Sequence, residues 1–264
     1  MIVMKTALIG HTGFVGSNLL SQQSFSACYN SKTINEIRGQ AFNHVICSGV
    51  SAVKWWANQN PEADLAGIRR LMECLDAIRA DRFTLISTID VYGSPLQVSE
   101  KNTGSVMSSQ PYGANRRMLE EWVSARFPDH HIIRLPALFG KGLKKNIIFD
   151  MIHQNREEYI NGLSSFQWYP LKRLSSDIEI IKQYSLPIVN LATQPVLTQS
   201  ICDRFFPDLK IGSADNLLTA SYDMWTKYAS LFSGGGHYIM DAEEVMDALA
   251  EFISAWTDER SIQV

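Results

Sequence analysis

The chain has 264 residues, of which 45% are hydrophobic, and a formal net charge of −3. This length can bury a sizeable core, either as one large domain or as a main domain with an appended lobe. The charge gives no reason to expect nucleic acid as a partner, and the sequence contains no apolar stretch of membrane-spanning length and no signal-peptide pattern, so we expect a cytoplasmic protein without a membrane partner.

The first predicted elements are a strand over residues 3–9 and a helix over 14–22, joined by a glycine-rich turn. In such a unit, backbone N–H groups and the helix N-terminus face a pyrophosphate. Gly10 is expected to allow the tight turn, Gly13 to let the phosphates approach, and Gly16 to let the helix pack on the strand. The spacing is G-x-x-G-x-x-G rather than G-x-G-x-x-G, and an ordinary turn without a ligand is the alternative. The residues predicted to hold a dinucleotide here are Gly10, Thr12, Gly13, Phe14, Val15 and Gly16.

Strand and helix patterns alternate through the rest of the first half. Pro61 suits the first turn of a long helix, whose apolar stripe includes Ile68, Leu71 and Leu75. The alternation predicts an α/β fold with a parallel, doubly wound sheet that helices cover on both faces. The strands are predicted over residues 25–29, 44–47, 83–87 and 131–135, and the helices over residues 61–80 and 112–126.

The pattern is looser after Gly140. Asp241 is predicted to cap a final helix, because Glu244 follows three residues later as in a capping box. Before it, helices are predicted over residues 146–154 and 177–184, and strands over 165–171 and 188–192, the latter as the last strand of the sheet. We therefore expect residues 1–140 to form a dinucleotide-binding domain, and residues 141–264 to form a small substrate lobe and complete the sheet.

Two further segments carry candidate chemistry. The segment S-T-I-D-V-Y-G at residues 87–93 ends a predicted strand, at the edge where ligands bind in open parallel sheets. The segment Y-G-A-N-R at residues 112–116 opens a predicted helix. Positions four apart share one helix face, so Tyr112 and Arg116 are expected to point the same way.

Together these segments resemble the extended branch of the short-chain dehydrogenase/reductase superfamily, which contains nucleotide-sugar epimerases, dehydratases and reductases. Four motifs carry the resemblance over most of residues 2–140: G-H-T-G-F-V-G, S-T-I-D-V-Y-G, Y-G-A-N-R and I-I-R-L-P-A-L-F-G. The resemblance implies a Rossmann-like fold, and the chain is similar in length to the dTDP-4-dehydrorhamnose reductase-like members. Relatives often dimerise through the helices that correspond to residues 61–80 and 112–126, so a homodimer is one expectation, and packing of those faces on the sheet is the other.

The resemblance implies catalytic roles for Thr88, Tyr112 and Arg116. In the family a tyrosine hydroxyl transfers a proton, and a serine or threonine hydroxyl holds the substrate oxygen; Tyr112 and Thr88 match these positions. A lysine four residues after the tyrosine holds the nicotinamide ribose and lowers the tyrosine pKa, but this chain has Arg116 there. Moving a tyrosine pKa from about 10 to near 7 requires roughly 4 kcal/mol, and a planar guanidinium is not equivalent to an ammonium in this role. A helix-surface pair without chemistry is therefore the alternative.

The residues after Thr88 help to choose the reaction. In the family's sugar 4,6-dehydratases an Asp-Glu pair follows this threonine and eliminates water, whereas this chain has Ile89 and Asp90. Isoleucine cannot donate a proton, so we expect an NAD(P)-dependent oxidoreductase that reduces or oxidises a nucleotide-activated sugar or a similar hydroxy-ketone. The alternatives are a nucleotide-sugar epimerase and a non-catalytic NADP(H)-binding sensor. Asp90 could also simply hydrogen-bond within its own turn.

The end of the second predicted strand indicates which dinucleotide binds. NAD enzymes usually place Asp or Glu there, but this chain has Asn30, Ser31 and Lys32. A hydroxyl and an ammonium suit a 2′-phosphate, so NADP(H) is favoured and NAD(H) is the second candidate. A solvated turn without a ligand is the structural alternative.

Further contacts follow from the positions that relatives use beside the cofactor and the substrate. The additional cofactor contacts are expected at Cys47, Ser48, Gly49, Ser87, Pro136 and Leu138, besides Tyr112 and Arg116 themselves. Candidate substrate contacts are Lys54 and Trp55, in a predicted loop, and Trp168 and Arg173, in the predicted lobe. Trp55 and the adjacent Trp56 could equally cover the core, and Arg173 could form a surface salt bridge.

The cysteines and histidines point away from metal chemistry. The four cysteines are scattered without a C-x-x-C pair, which is typical of reduced core residues. The six histidines form no H-E-x-x-H motif. We therefore expect neither a metal site nor disulfides.

Overall fold

A computed structural model of the protein describes residues 4–102, 108–212 and 217–261, so residue 3 of the first predicted strand lies outside the described residues. The strands in this part of the chain are β1 Thr6–Ile9, β2 Ala27–Tyr29, β3 Ala41–Cys47, β4 Arg79–Thr88, β5 Leu96–Val98, β6 His130–Leu135, β7 Ala137–Phe139, β8 Ser165–Phe166, β9 Trp168–Pro170, β10 Ile188–Asn190, β11 Val196–Leu197 and β12 Asp223–Met224. The α-helices are α1 Phe14–Gln22, α2 Lys54–Gln59, α3 Pro61–Asp76, α4 Pro111–Arg126, α5 Ile147–His153, α6 Leu174–Gln183, α7 Thr198–Phe205 and α8 Ala242–Ser261.

The described residues divide into two compact units. The first unit draws its residues from 1–94, 100–135 and 172–190, and the second from 95–99, 136–171 and 191–264. The first unit therefore includes α6 and β10 from the second half of the chain. All the catalytic residues proposed from the sequence lie in this first unit.

The first unit is built on a six-stranded parallel sheet with the order β10-β6-β4-β3-β1-β2. From β1 the chain first adds β2 on one side and then β3 on the other. The carboxyl ends of β1 and β3 therefore flank the point where the winding direction reverses, which is where open α/β sheets bind ligands. The doubly wound parallel sheet expected from the sequence is confirmed.

Helices cover both faces of this sheet because consecutive residues of its strands are apolar, so that both faces are buried. Ala7 and Ile9 belong to a buried cluster that also contains Ile68 and Leu75 of α3 and Val123 of α4. Leu8, between Ala7 and Ile9, is also fully buried and faces the opposite side. On that side α1 contacts α6, and the Gln22 side chain accepts a hydrogen bond from the backbone N–H of Ser175.

The second unit contains short strand pairs rather than an extended sheet. The described pairs are β7 with β9, β8 with β11 and β5 with β12. Gln167 separates β8 from β9, because its buried amide bonds the carbonyls of Thr193 and Met224 and the N–H of Met224. The single strand predicted over residues 165–171 is therefore wrong. The capping box predicted at Asp241 and Glu244 is confirmed by reciprocal hydrogen bonds of 2.8 Å.

Other boundaries also differ from the predictions. The helix predicted to reach residue 80 ends at Asp76, and β4 begins at Arg79 because residues 79–80 pair with residues 41–42 of β3. The predicted loop at Lys54 and Trp55 is instead the first turn of α2, a helix of only six residues. A helix that short shows less than two turns of periodicity in the sequence.

A buried ion pair joins β6 to α4 within the first unit. Nε and Nη2 of Arg134 lie 3.0 and 2.6 Å from the two carboxylate oxygens of Glu120, and both side chains are about 99% buried. Ser87 Oγ donates a further hydrogen bond of 2.6 Å to Glu120, and Arg134 Nη1 donates one of 2.7 Å to the Tyr92 hydroxyl. Burial opposes the charge on Arg134, but the bonds to Glu120 outweigh it and raise the pKa of Arg134.

Replacing Glu120 with Gln should strongly destabilise the protein, because it leaves the buried Arg134 charge uncompensated. The expected loss in the free energy of unfolding is about 3–5 kcal/mol. Glu121→Gln is the matched control, because that side chain is 58% exposed and its pair with Arg117 lies at the surface; it should cost less than about 1 kcal/mol. Urea unfolding would measure both, and equal effects would contradict a special role for the buried pair.

His44 of β3 is a further buried ionisable group, and it lies towards the amino edge of the sheet. It is 7% exposed, and its Nε2 lies 2.8 Å from Thr84 Oγ1. Burial, followed by the positive charges of Lys182 and Arg82, lowers its pKa from 6.5 to about 3. The folded protein therefore keeps this imidazole neutral at pH values where the unfolded chain binds a proton.

The stability of the protein should consequently fall as the pH drops from about 6.5 towards 3. In this range the unfolded state binds one more proton at His44 than the folded state, which costs about 1.4 kcal/mol per pH unit. His44→Gln removes this proton uptake, so its free energy of unfolding should rise relative to that of the native protein at each lower pH. Urea unfolding at several pH values would test this, and parallel curves for the two proteins would contradict it.

Candidate active site

The glycine turn lies at the carboxyl edge of the sheet and is tightly packed. Gly10 has a φ of +87°, and a Cβ on it would overlap the carbonyl of Ser48. A Cβ on Gly16 would overlap the carbonyl of Gly10, so only glycine lets α1 approach the turn this closely. The Gly10 N–H donates to the Tyr29 carbonyl at 2.7 Å, and Ser48 N–H donates to the Ile9 carbonyl at 2.9 Å. These bonds fix the turn between the ends of β2 and β3.

A pocket of about 190 Å³ opens beside this turn. Its lining residues are Ile9, Gly10, Asn30, Ser31, Ile34, Gly49, Gly67, Arg70 and Leu71. A Cβ on Gly67 would meet no atom within 4 Å and would project into open space. The pocket lies at the reversal point of the sheet and combines an apolar lining with a few polar groups, as the adenosine half of a dinucleotide requires.

The turn after β2 is held by its own side chain. Asn30 Oδ1 accepts from the N–H groups of Lys32 and Thr33 at 2.9 and 3.3 Å. Asn30 and Ser31 line the pocket, whereas Lys32 is exposed and is not among the lining residues. Arg70, on α3, is the cation that does line it.

A larger cavity of about 270 Å³ lies at the opposite edge of the sheet. It is lined by residues at the starts of the strands, including Thr6, His44 and Arg82. The sequence motifs lie at the ends of the strands instead. We therefore place the candidate site at the carboxyl edge, beside the smaller pocket.

Thr88 and Tyr112 come together at the end of β4. Thr88 is the last residue of β4, and Tyr112 is in the first turn of α4. The Thr88 side chain lies close enough to the Tyr112 phenol to lower its pKa. A Cβ on Gly113 would overlap the Asp90 carbonyl oxygen, so glycine at this position lets α4 contact the turn that follows β4. Thr88 and Tyr112, the two hydroxyl-bearing residues predicted from the sequence, therefore lie close together at the carboxyl edge of the sheet.

Arg116 forms a buried ion pair with Asp64 of α3. Its Nη1 and Nη2 lie 2.6 and 2.9 Å from the two Asp64 oxygens, and both side chains are at least 95% buried. The same nitrogens donate to the carbonyls of Tyr112 and Ser51 at 3.0 and 2.6 Å. The guanidinium carbon also lies 3.8 Å from the centroid of the Tyr112 ring. Arg116 therefore contacts Tyr112 but uses both terminal nitrogens within the protein.

A second cation approaches the same centre from α2. Lys54 Nζ lies 2.6 Å from Asp90 Oδ1. The Asp90 N–H donates to Thr88 Oγ1 at 3.2 Å, and Thr88 Oγ1 lies 3.5 Å from Asp90 Oδ2. Lys54, Asp90 and Thr88 thus form one continuous polar chain, which ends beside the Tyr112 phenol.

Burial is the largest influence on the Tyr112 phenol and raises its pKa above the ordinary value. After burial, the next largest influence is the charge of Arg116, which lowers the pKa, followed by the charge of Asp90, which raises it. The charge of Lys54 and the Thr88 side chain lower the pKa by smaller amounts. The net pKa is raised. Tyr112 is therefore a neutral phenol at pH 7 and can donate a proton.

The structure places the other sequence candidates in varied surroundings. Ser87 bonds Glu120, and Cys47 is buried at the end of β3. Trp55 is 65% exposed on α2. Arg173 lies 3.3 Å from Asp177 in an i,i+4 pair of the first unit.

Three candidates belong to the second unit. Pro136 is buried there, and the Leu138 carbonyl accepts a hydrogen bond of 2.9 Å from Asn146. Trp168 is 99% buried in β9.

Sequence reasoning missed three residues of the first unit that contact or line the site. Asp64 pairs with Arg116, Asn58 Oδ1 accepts from the Tyr112 N–H at 3.0 Å, and Arg70 lines the pocket. Asp64 lies in the first turn of α3, where a carboxylate is common in helices of every kind. Asp64 is buried although most of its neighbours on α3 are exposed, and no local sequence pattern predicts that burial.

The described residues contain no group of three or more His, Cys, Asp or Glu side chains that could hold a metal ion. All four cysteines are free thiols. No helix in the described part of the chain is long and apolar enough to cross a membrane.

Solved structures of sugar-nucleotide enzymes share this fold. The dTDP-4-dehydrorhamnose reductase of Bacillus anthracis, in complex with NADP, has a TM-score of 0.75 at 13% identity, covering 97% of this chain and 99% of that chain. The UDP-N-acetylglucosamine 4-epimerase of Methanobrevibacter ruminantium has a TM-score of 0.73 at 13% identity, covering 98% and 100%. A dTDP-4-dehydrorhamnose reductase from Clostridium acetobutylicum has a TM-score of 0.72 at 14% identity, covering 96% and 100%. No curated protein matches the chain in sequence.

A family model adds sequence support to this shared fold. The model of the NAD dependent epimerase/dehydratase family matches residues 25–168, which is more than half of the chain. The match contains both the segment after β4 and the start of α4, and it confirms the resemblance expected from the motifs. The chain therefore belongs to the NAD dependent epimerase/dehydratase family.

Proposed function

We propose that the protein is an NAD(P)-dependent oxidoreductase that reduces or oxidises a nucleotide-activated sugar or a similar hydroxy-ketone. The observation that carries this proposal is the position of Thr88, at the end of β4, beside Tyr112 in the first turn of α4, where Gly113 packs against the Asp90 carbonyl. The bound nicotinamide supplies or accepts the hydride. Tyr112 exchanges the proton with the substrate oxygen, and Thr88 orients that oxygen by a hydrogen bond.

The protonation of Tyr112 favours the reductive direction. Reduction of a ketone needs a proton donor, and the raised pKa keeps the phenol protonated at neutral pH. Dehydration needs a second acid or base beside Thr88, but Ile89 is a buried hydrocarbon there. Asp90 is paired with Lys54, which leaves ketone chemistry as the better match.

Arg116 has a different role here from that of the family lysine. Its terminal nitrogens bind Asp64 and two carbonyls, so we assign it to positioning the Tyr112 ring by stacking rather than to holding a ribose. A non-catalytic NADP(H) sensor is the second candidate, and the same observation favours it. The two functions differ in whether the bound dinucleotide is turned over.

We further propose that the cofactor lies with its pyrophosphate at the turn of residues 10–16 and its adenosine in the 190 Å³ pocket. The N–H groups of Gly10 and Gly13 bond carbonyls of the protein, so the glycines would let the phosphates approach the first-turn N–H groups of α1. Arg70 and Ser31 would bind a 2′-phosphate, with Lys32 nearby in sequence, which favours NADP(H) over NAD(H). No carboxylate lines this pocket.

Tyr112→Phe should lower the rate of NADPH oxidation in the presence of a nucleotide-linked ketosugar by about 100-fold or more, because it removes the proton donor. Binding of NADPH, followed by its fluorescence, should change little. Tyr184→Phe is the control, because that ring is 50% exposed. Full activity in Tyr112→Phe would refute the assignment, and NADPH binding without turnover over a broad panel of ketones would favour the sensor.

Arg70→Gln should weaken binding of 2′,5′-ADP by about 10- to 100-fold, because it removes a charge-assisted hydrogen bond to the 2′-phosphate. Binding of 5′-AMP, which lacks that phosphate, should change little. Arg69→Gln is the matched control, because Arg69 is the adjacent exposed residue of α3 and does not line the pocket. Calorimetry would measure the affinities, and tighter binding of 5′-AMP than of 2′,5′-ADP by the native protein would contradict the preference for NADP(H).

A further inference from the structure

The reaction centre contains a lysine that comes from α2 instead of α4. Lys54 begins α2, and Asn58, four residues later, lies on the same helix face. Asn58 Oδ1 accepts a hydrogen bond from the Tyr112 N–H at 3.0 Å, so this face of α2 is directed at the first turn of α4. The geometry of α2 therefore brings the Lys54 side chain towards the residues that surround the phenol.

Asp90 fixes the ammonium of Lys54 in place. The distance from Lys54 Nζ to Asp90 Oδ1 is 2.6 Å. Asp90 itself is held on both sides, because its N–H donates to Thr88 Oγ1 and its carbonyl oxygen lies against Gly113 of α4. The ammonium is thus connected to the Thr88 hydroxyl through a single carboxylate.

Arg116 is poorly suited to supply a mobile positive charge at this centre. Both oxygens of the buried Asp64 carboxylate compensate its charge, and its side chain is only 5% exposed. The Lys54 side chain is 45% exposed and carries a flexible stem, so its ammonium can change partners as ligands bind. Of the two cations in contact with this polar chain, Lys54 is the one that can respond to the substrate.

We infer that Lys54 supplies the ammonium charge that the chain lacks four residues after Tyr112, and that Asp90 is the positioning residue that holds this ammonium beside the reacting hydroxyls. The inference rests on the proposed role of Tyr112 and adds to it a specific origin for the cation. Lys54 acts through the charge it places near the phenol. Its role is therefore electrostatic, and it differs from the substrate contact expected from the sequence.

The charges around Tyr112 agree with this assignment. The Lys54 charge lowers the pKa of the phenol, and the Asp90 charge raises it. Removing either charge should therefore move the Tyr112 pKa, in opposite directions. A residue that only filled space at this position would leave the pKa unchanged.

The test is a titration of Tyr112 in the full-length protein, without substrate. Tyrosine labelled with ¹³C at Cζ reports phenol ionisation by NMR, and Tyr112→Phe identifies the resonance. Lys54→Met should raise the Tyr112 pKa by about one unit, the lower end of the range for a nearby opposite charge, and Lys54→Arg should restore it. Asp90→Asn should lower the Tyr112 pKa, because the Asp90 charge raises it. This downward shift stays measurable even if the native phenol ionises near the upper end of the accessible pH range.

The matched control is Lys182→Met, which breaks a comparable exposed pair with Glu179 on α6 and should leave the Tyr112 pKa unchanged. An unchanged Tyr112 pKa in both Lys54→Met and Asp90→Asn would overturn the inference. Because this titration needs no turnover, it separates the two proposals. Shifted pKa values without activity on any ketone would refute the oxidoreductase alone, and activity that depends on Tyr112 but unshifted pKa values would refute the inference alone.

Discussion

The bidentate pair between Asp64 and Arg116 joins α3 to α4, the helix that carries Tyr112. Both side chains are buried, so removing either partner would leave an uncompensated charge inside the protein. The same guanidinium stacks on Tyr112 and bonds the carbonyl of that residue. Through these contacts, the packing of α3 against α4 determines where the phenol lies relative to Thr88.

The fold was largely predictable because its signals are local and repetitive. Short apolar strands that alternate with helices, together with the spacing of Gly10 and Gly16, predict the sheet and its first crossover, and the capping box at Asp241 marks the start of the last helix. The errors occurred where tertiary contacts replace periodicity. The six residues of α2 are too few for a helical pattern, and the strand at residues 165–171 is divided by the buried amide of Gln167.

The candidate site was only half predictable. Thr88 and Tyr112 could be identified because each lies in a recognisable motif at the start or end of an element. Asp64 is 52 positions from Arg116, and Lys54 is 36 positions from Asp90. No local sequence pattern predicts either pair. Charge pairing over such distances is decided by how the helices pack on the sheet, which a single sequence does not encode in any periodic form.

Helix α3 contacts two parts of the candidate site. Six residues, or about 9 Å of helix, separate Asp64 near the start of α3 from Arg70, which lines the pocket beside the glycine turn. One helix therefore lines the pocket through Arg70 and contacts Arg116, which stacks on Tyr112, through Asp64. In the proposed function, a shift of α3 that accommodates one kind of ribose would move the Tyr112 ring through Arg116, so the choice of dinucleotide and the position of the proton donor would be coupled.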